Sequence, residues 1–104
     1  MLFAKDKEDY IRELVAELLI NFEDSDVAKK TLISLASDKE SMVRLEAYDS
    51  LSEFRYSDIE LFLRKAMLNE KDELARSYAI MSWAEIVKST NDKFYDYILI
   101  LNEL

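Results

Sequence analysis

The stretch DKESMVRLEAYDSL at residues 38–51 nearly restates DKEDYIRELVAELL at 6–19, and EKDELARSYAIMSW at 70–83 says it a third time. Arg12, Arg44 and Arg76 stand 32 residues apart, and so do Asp6, Asp38 and Glu70. The apolar positions keep the same step of 32: Ile11, Val43 and Ala75; Val15, Ala47 and Ala79; Leu19, Leu51 and Trp83. Val43, Ala47 and Leu51 are spaced by four, which puts them on one face of a helix.

The intervening segments repeat as well. FEDSDVAKKTLISLAS (22–37) aligns with FRYSDIELFLRKAMLN (54–69) at Phe22/Phe54, Ser25/Ser57, Asp26/Asp58 and Val27/Ile59. In both, Ser-Asp precedes an apolar-periodic run, the place where a short side-chain oxygen caps the orphaned N–H groups of a helix start. Ser57 with Glu60 has capping-box spacing. A third counterpart, STNDKFYDYILILNEL, runs from Ser89 with about one extra loop residue.

The pattern predicts six helices, two per period. Motif helices are expected near 7–21, 39–54 and 71–88, and partner helices near 26–36, 58–68 and 92–103, in one domain covering 1–104. A single helix pair cannot bury its apolar stripe alone, so units repeating at this period stack on their neighbours. The expected architecture is an all-α solenoid of about three helix pairs.

Composition agrees and narrows the chemistry. Neither Gly nor Pro occurs in 104 residues, which disfavours tight β-turns and leaves no glycine-rich phosphate loop. With no Cys and no His, disulfides, thiolate nucleophiles, Cys/His zinc sites and imidazole catalysis are excluded. No cofactor is expected. The opening MLFAKDKEDY is charged within five residues, too early for a signal peptide, and no apolar run approaches a membrane span. A soluble, cytoplasmic protein is therefore expected. Its net charge of −8, from 22 acidic and 14 basic residues, would repel a phosphate backbone, so the expected partner is a basic protein and not a nucleic acid or a membrane.

The recurring pattern of an acid, an arginine six residues later and apolar residues one before, three after and seven after that arginine resembles the second-helix signature of HEAT repeats. The short period is similar to the compact HEAT-like repeats typified by phycobilisome lyases, and the likeness covers essentially the whole chain. It implies a right-handed superhelix with the motif helices lining its concave surface. It also implies that Asp6, Arg12, Asp38, Arg44, Glu70 and Arg76 form a structural acid–arginine ladder between successive repeats. Members often carry Pro in the first helix or turn and Gly near the second, and this chain has neither. Other curved helical repeats are the alternative architecture.

Positions that break the repeat are the ones the scaffold does not dictate. Outward positions of the first two motif helices include Glu13, Glu17, Glu46, Asp49 and Glu53; the third has Tyr78, Met81 and Glu85, with Tyr48 between in register. That face grades from acidic to aromatic and apolar, the composition of an interface that steers and then anchors a basic partner. Trp83, in a leucine position, is expected in the core. Glu13 and Glu17 are four apart, but nothing suggests burial that would separate two carboxyls into acid and base. The acidic NFEDSD (21–26) lacks the glycine and spacing of a calcium loop. No catalytic or metal-binding residue is expected.

The expected function is a non-catalytic protein-interaction module, in its sharpest form an inhibitor or immunity-type protein neutralising a basic toxin or nuclease. A scaffold fragment of a longer repeat array is the alternative. The resemblance adds a lyase or chaperone-like subunit, and DNA glycosylases of related fold, which the acidic balance disfavours. The run Tyr97, Ile98, Leu99, Ile100 and Leu101 would leave the last helix apolar, so that end is expected to be covered by a second copy (a homodimer through the C-terminal helix), by the partner, or by residues beyond this chain.

Overall fold

The computed structural model describes residues 2–54 and 57–90, together with Asn102. Its helices are α1 (Asp9–Leu18), α2 (Asp26–Leu35), α3 (Ser41–Leu51), α4 (Ser57–Asn69) and α5 (Glu73–Thr90), with 3-10 turns at Leu2–Lys5 and Leu19–Phe22. There is no strand among the described residues. The helix expected at 92–103, with its apolar run at 97–101, lies outside the described residues.

The motif helices form one layer: α3 packs between α1 and α5, while α2 lies against α3 and α4 against α5. Small residues make the seams of this layer close. Ala16, Ala47, Ala75 and Ala79 are completely buried, and Leu51, Phe54 and Trp83 fill the space beside them. Each large apolar side chain buried in this way contributes about 1.5–3 kcal/mol. Trp83 lies in this core.

Helix starts follow the local chemistry. Ser25 is the N-cap of α2, accepting from the Ala28 N–H at 3.1 Å. Glu60 holds Arg64 one turn on, with Nη2 donating to Oε1 at 2.6 Å. Successive partner helices are joined by Lys29, whose Nζ lies 3.1 Å from Asp58 Oδ2.

The partner helices do not keep the register read from the sequence. Val27 aligns with Ile59 at a step of 32, yet Val27 is 63% exposed and Ile59 is fully buried. Ala28 and Leu32 of α2 with its C-cap Ala36 correspond in burial to Ile59, Leu63 and Met67 of α4, a step of 31, and Leu35 is buried beside them. The reason is local. Helix α2 begins at Asp26, one residue after its serine, whereas α4 begins at Ser57 itself, so aligned residues stand one position apart along the two helices.

Between repeats lie the arginines. Arg12 donates from Nε and Nη2 to the two Asp38 oxygens at 2.7 and 3.1 Å, and from Nη1 to the carbonyls of Asp6 and Lys7. Arg44 does the same to Glu70, at 2.7 and 3.0 Å, and to the carbonyls of Asp38 and Lys39. Each acid also accepts the N–H two residues on: Asp6 from Glu8, Asp38 from Glu40 and Glu70 from Asp72. One carboxylate thus shapes the turn into its own motif helix and receives the guanidinium of the preceding one. Arg76 departs from this geometry, with Nε donating to the Met67 carbonyl at 3.0 Å.

Candidate functional site

With core, seams and ladder assigned, each motif helix has one face left over. On α3 and the turn after it this face carries Met42, Glu46, Asp49 and Glu53, spaced 4, 3 and 4, all exposed or half-buried beside the buried Val43, Ala47, Ser50 and Leu51. One period earlier, α1 and its 3-10 extension present Tyr10, Leu14, Glu17 and Asn21; one period later, α5 presents Leu74, Tyr78, Met81 and Glu85. The three stripes lie side by side on the open face of the motif layer.

Charge is concentrated on its first two helices. Burial raises the Glu46 carboxyl above its ordinary range, and the charges of Glu17, Asp49 and Glu13 raise it further. Asp49 is raised in the same direction, by burial first and then by Glu53 and Glu17. Among the described residues no cation pairs with any of these five acids; the arginines and lysines in ion pairs serve Asp26, Asp38, Asp58, Glu60 and Glu70. The cluster therefore repels itself, an arrangement that a cationic ligand relieves. No group among the described residues is arranged to hold a metal ion.

The structure brings Glu13, Glu17, Glu46, Asp49 and Glu53 together, and sets Tyr78, Met81 and Glu85 on the neighbouring helix of the same face. Met81 is 52% exposed, while Tyr78 is half-buried against the core. Tyr48 does not belong to this face. It is 3% exposed, packs in the core and donates its hydroxyl to Glu70 Oε1 at 2.8 Å. Its counterparts at the 32-residue step are Ala16 and Ile80, positions on the seam toward the next repeat, and that apolar series was the signal of burial.

Three residues escaped the sequence reading. Tyr10, Met42 and Leu74 occupy one repeat position and are 62%, 43% and 53% exposed, making an apolar row along the start of the motif helices. A large apolar residue recurring in every copy reads as core, and only the packing reveals it as surface. The face thus combines an acidic half with an apolar margin.

A family model of HEAT repeats matches residues 2–86. The chain belongs to the HEAT-repeat family. HEAT repeats generally mediate protein–protein interaction, and the family is generally non-catalytic. No curated protein and no solved structure matches this HEAT-repeat chain. No helix among the described residues is long and apolar enough to cross a membrane.

Proposed function

We propose that this HEAT-repeat chain is a non-catalytic binding module whose acidic motif-helix face grips a basic protein, in its sharpest form a toxin or nuclease that it neutralises. The frame of this reading is a right-handed three-pair solenoid over 1–104 with a sixth helix at 92–103 and the motif helices on its concave side. The observation that supports it is the cluster of Glu13, Glu17, Glu46, Asp49 and Glu53, unpaired with any described cation, with Glu46 and Asp49 raised first by burial and then by the neighbouring acids. A cationic surface docking there gains Coulomb attraction and removes that repulsion at once. The exposed Tyr10, Met42, Leu74 and Met81 supply apolar area beside the charge, which holds a complex once it is formed.

The test is site-specific photocrosslinking in the cell of origin, with the crosslinker at Asp49 and, as control, at the exposed Ser34 of α2. The expected product is a protein of net positive charge, captured from Asp49 and not from Ser34, whose activity falls when the complex forms. Capture from both sites alike, or only of acidic proteins, overturns the reading.

A further inference from the structure

On the open face, α1, α3 and α5 stand side by side and their equivalent positions form rows across the layer. The first row is Tyr10, Met42 and Leu74; the second, one turn on, is Leu14, Glu46 and Tyr78. Tyr10, Leu14, Met42 and Leu74 are exposed, and Glu46 and Tyr78 are half-buried. A single carboxylate therefore sits in the middle of an otherwise apolar and aromatic band. Burial disfavours its charge, Glu17 and Asp49 repel it, and no cation among the described residues pairs with it.

The nature of what covers this band is constrained by the face itself. A further repeat of the same chain would stack on the flank of the layer and leave the open face uncovered. A second copy laid face to face would bring net charge −8 against net charge −8, and none of the three stripes on this face offers Glu46 a lysine or arginine. Phosphate surfaces are repelled in the same way. Charge thus selects a cationic protein segment, and shape selects a helix. Packed helices stand about 8–10 Å apart, and residues seven apart on a helix climb about 10.5 Å. Rows one turn apart are separated by about 5–6 Å. A docked helix, about 10–12 Å across, covers both rows, whereas an extended strand follows only one.

We propose that the band docks an amphipathic helix of a basic partner protein, lying across α1, α3 and α5, with apolar residues seven apart over Tyr10, Met42 and Leu74 and one arginine set against Glu46. This rests on the open face being the binding surface, and it adds what the partner brings there: a helix, and a cation at one fixed place. Docking excludes water from Glu46, so the guanidinium decides affinity, because a carboxylate buried without a counter-charge is strongly unfavourable. Glu17, Asp49 and Glu53 lie beyond the band, on the side where such a helix carries its lysines.

The probe is a helical peptide of about five turns with three leucines spaced seven apart, one arginine three residues after the middle leucine, and lysines along the arginine's flank. One twin carries citrulline for arginine, and a second has the same composition with the leucines spaced five apart. Fluorescence anisotropy with the full chain should give saturable binding of the parent, weakened about tenfold in either twin. Glu46→Gln should weaken the parent about tenfold and leave the citrulline twin unchanged, which a general loss of charge does not do. Tyr10→Ser and Leu74→Ser, at opposite ends of the row, should each weaken the parent about fivefold. Equal affinity for the parent and either twin, or equal weakening of parent and citrulline twin by Glu46→Gln, overturns the proposal. So does sedimentation showing an oligomer that Met42→Lys disperses, since a copy would then cover the band. Absence of saturable binding overturns the docked helix; capture of a basic protein by the crosslinker at Asp49 then leaves the open-face reading standing, and failure of both sinks both.

Discussion

Arg44 and Glu70 are joined by two parallel hydrogen bonds, Nε to Oε1 at 2.7 Å and Nη2 to Oε2 at 3.0 Å, across 26 residues of chain. The pairing works because the period is 32 and the acid stands six residues before its own arginine, so each arginine finds the acid of the following repeat at a distance of 26. Such a pair positions one repeat on the next. The Glu70 side chain is 3% exposed, so its charge depends on that arginine far more than a surface acid would.

Arg44→Ala should therefore destabilise the fold by about 2–3 kcal/mol, the cost of leaving a buried carboxylate without its main donor. The exposed Lys65→Ala should change stability by less than about 0.5 kcal/mol. Lys29 is no substitute as a neutral control, because its ammonium bridges Asp26 and Asp58. Urea melts giving the two variants equal midpoints would remove any structural role for the pair.

Acid should act on the same residue. Burial alone would raise the Glu70 carboxyl, but Arg44, the Asp72 N–H and the Tyr48 hydroxyl bring it down from 4.5 to about 2. A folded value below the unfolded one stabilises the protein above pH 4.5, and the contribution is lost as pH falls from there through about 2. The amount is roughly 3 kcal/mol. Asp38 is lowered too: burial opposes, but Arg12 and the Glu40 N–H prevail. Denaturant midpoints should drop steeply below pH 4.5 in the native chain and flatten in Glu70→Gln. A midpoint that falls just as steeply in that variant would show that other groups govern acid unfolding.

The motif layer was legible because its signal is redundant: three copies, one step, and apolar residues four apart on a face. The partner helices were harder to read, since Val27 and Ile59 look equivalent beside a shared Ser-Asp but stand one position apart along their helices. Tyr48 misled because an amphipathic aromatic suits both a surface and a seam; its apolar counterparts Ala16 and Ile80 and its contact with Glu70 put it in the seam. The Tyr10, Met42 and Leu74 row went unread, because periodicity records that positions are equivalent and not which way they point. The acidic residues could be named from the sequence, but their mutual repulsion follows from the side-by-side placement of α1 and α3.

That repulsion has a sign opposite to that of Glu70. Glu46 and Asp49 are raised in the folded chain, so they oppose folding once ionised, and their cost fades as pH falls into the range just above ordinary carboxylate values. Glu46→Gln should stabilise the protein at pH 7 by about 0.5 kcal/mol in low salt, with the gain shrinking as salt screens the cluster. Thermal melts at two ionic strengths read this directly. Destabilisation by Glu46→Gln at pH 7 would mean that its charge has a favourable partner.

Association with a basic protein partner should separate the two kinds of surface on the open face. Glu46→Lys with Asp49→Lys should lower the association rate about tenfold in low salt and flatten its salt dependence, because long-range attraction acts before contact. Met81→Ala, which removes an exposed apolar anchor without changing charge, should raise the dissociation rate and leave association nearly constant. Tyr48→Phe should affect neither rate, since its hydroxyl is spent on Glu70 inside the fold, and should cost about 1 kcal/mol of stability instead. Stopped-flow association and dissociation traces over a salt series supply all of these numbers. If charge reversal and Met81→Ala leave both rates unchanged while the partner still binds, the open face is not where it binds.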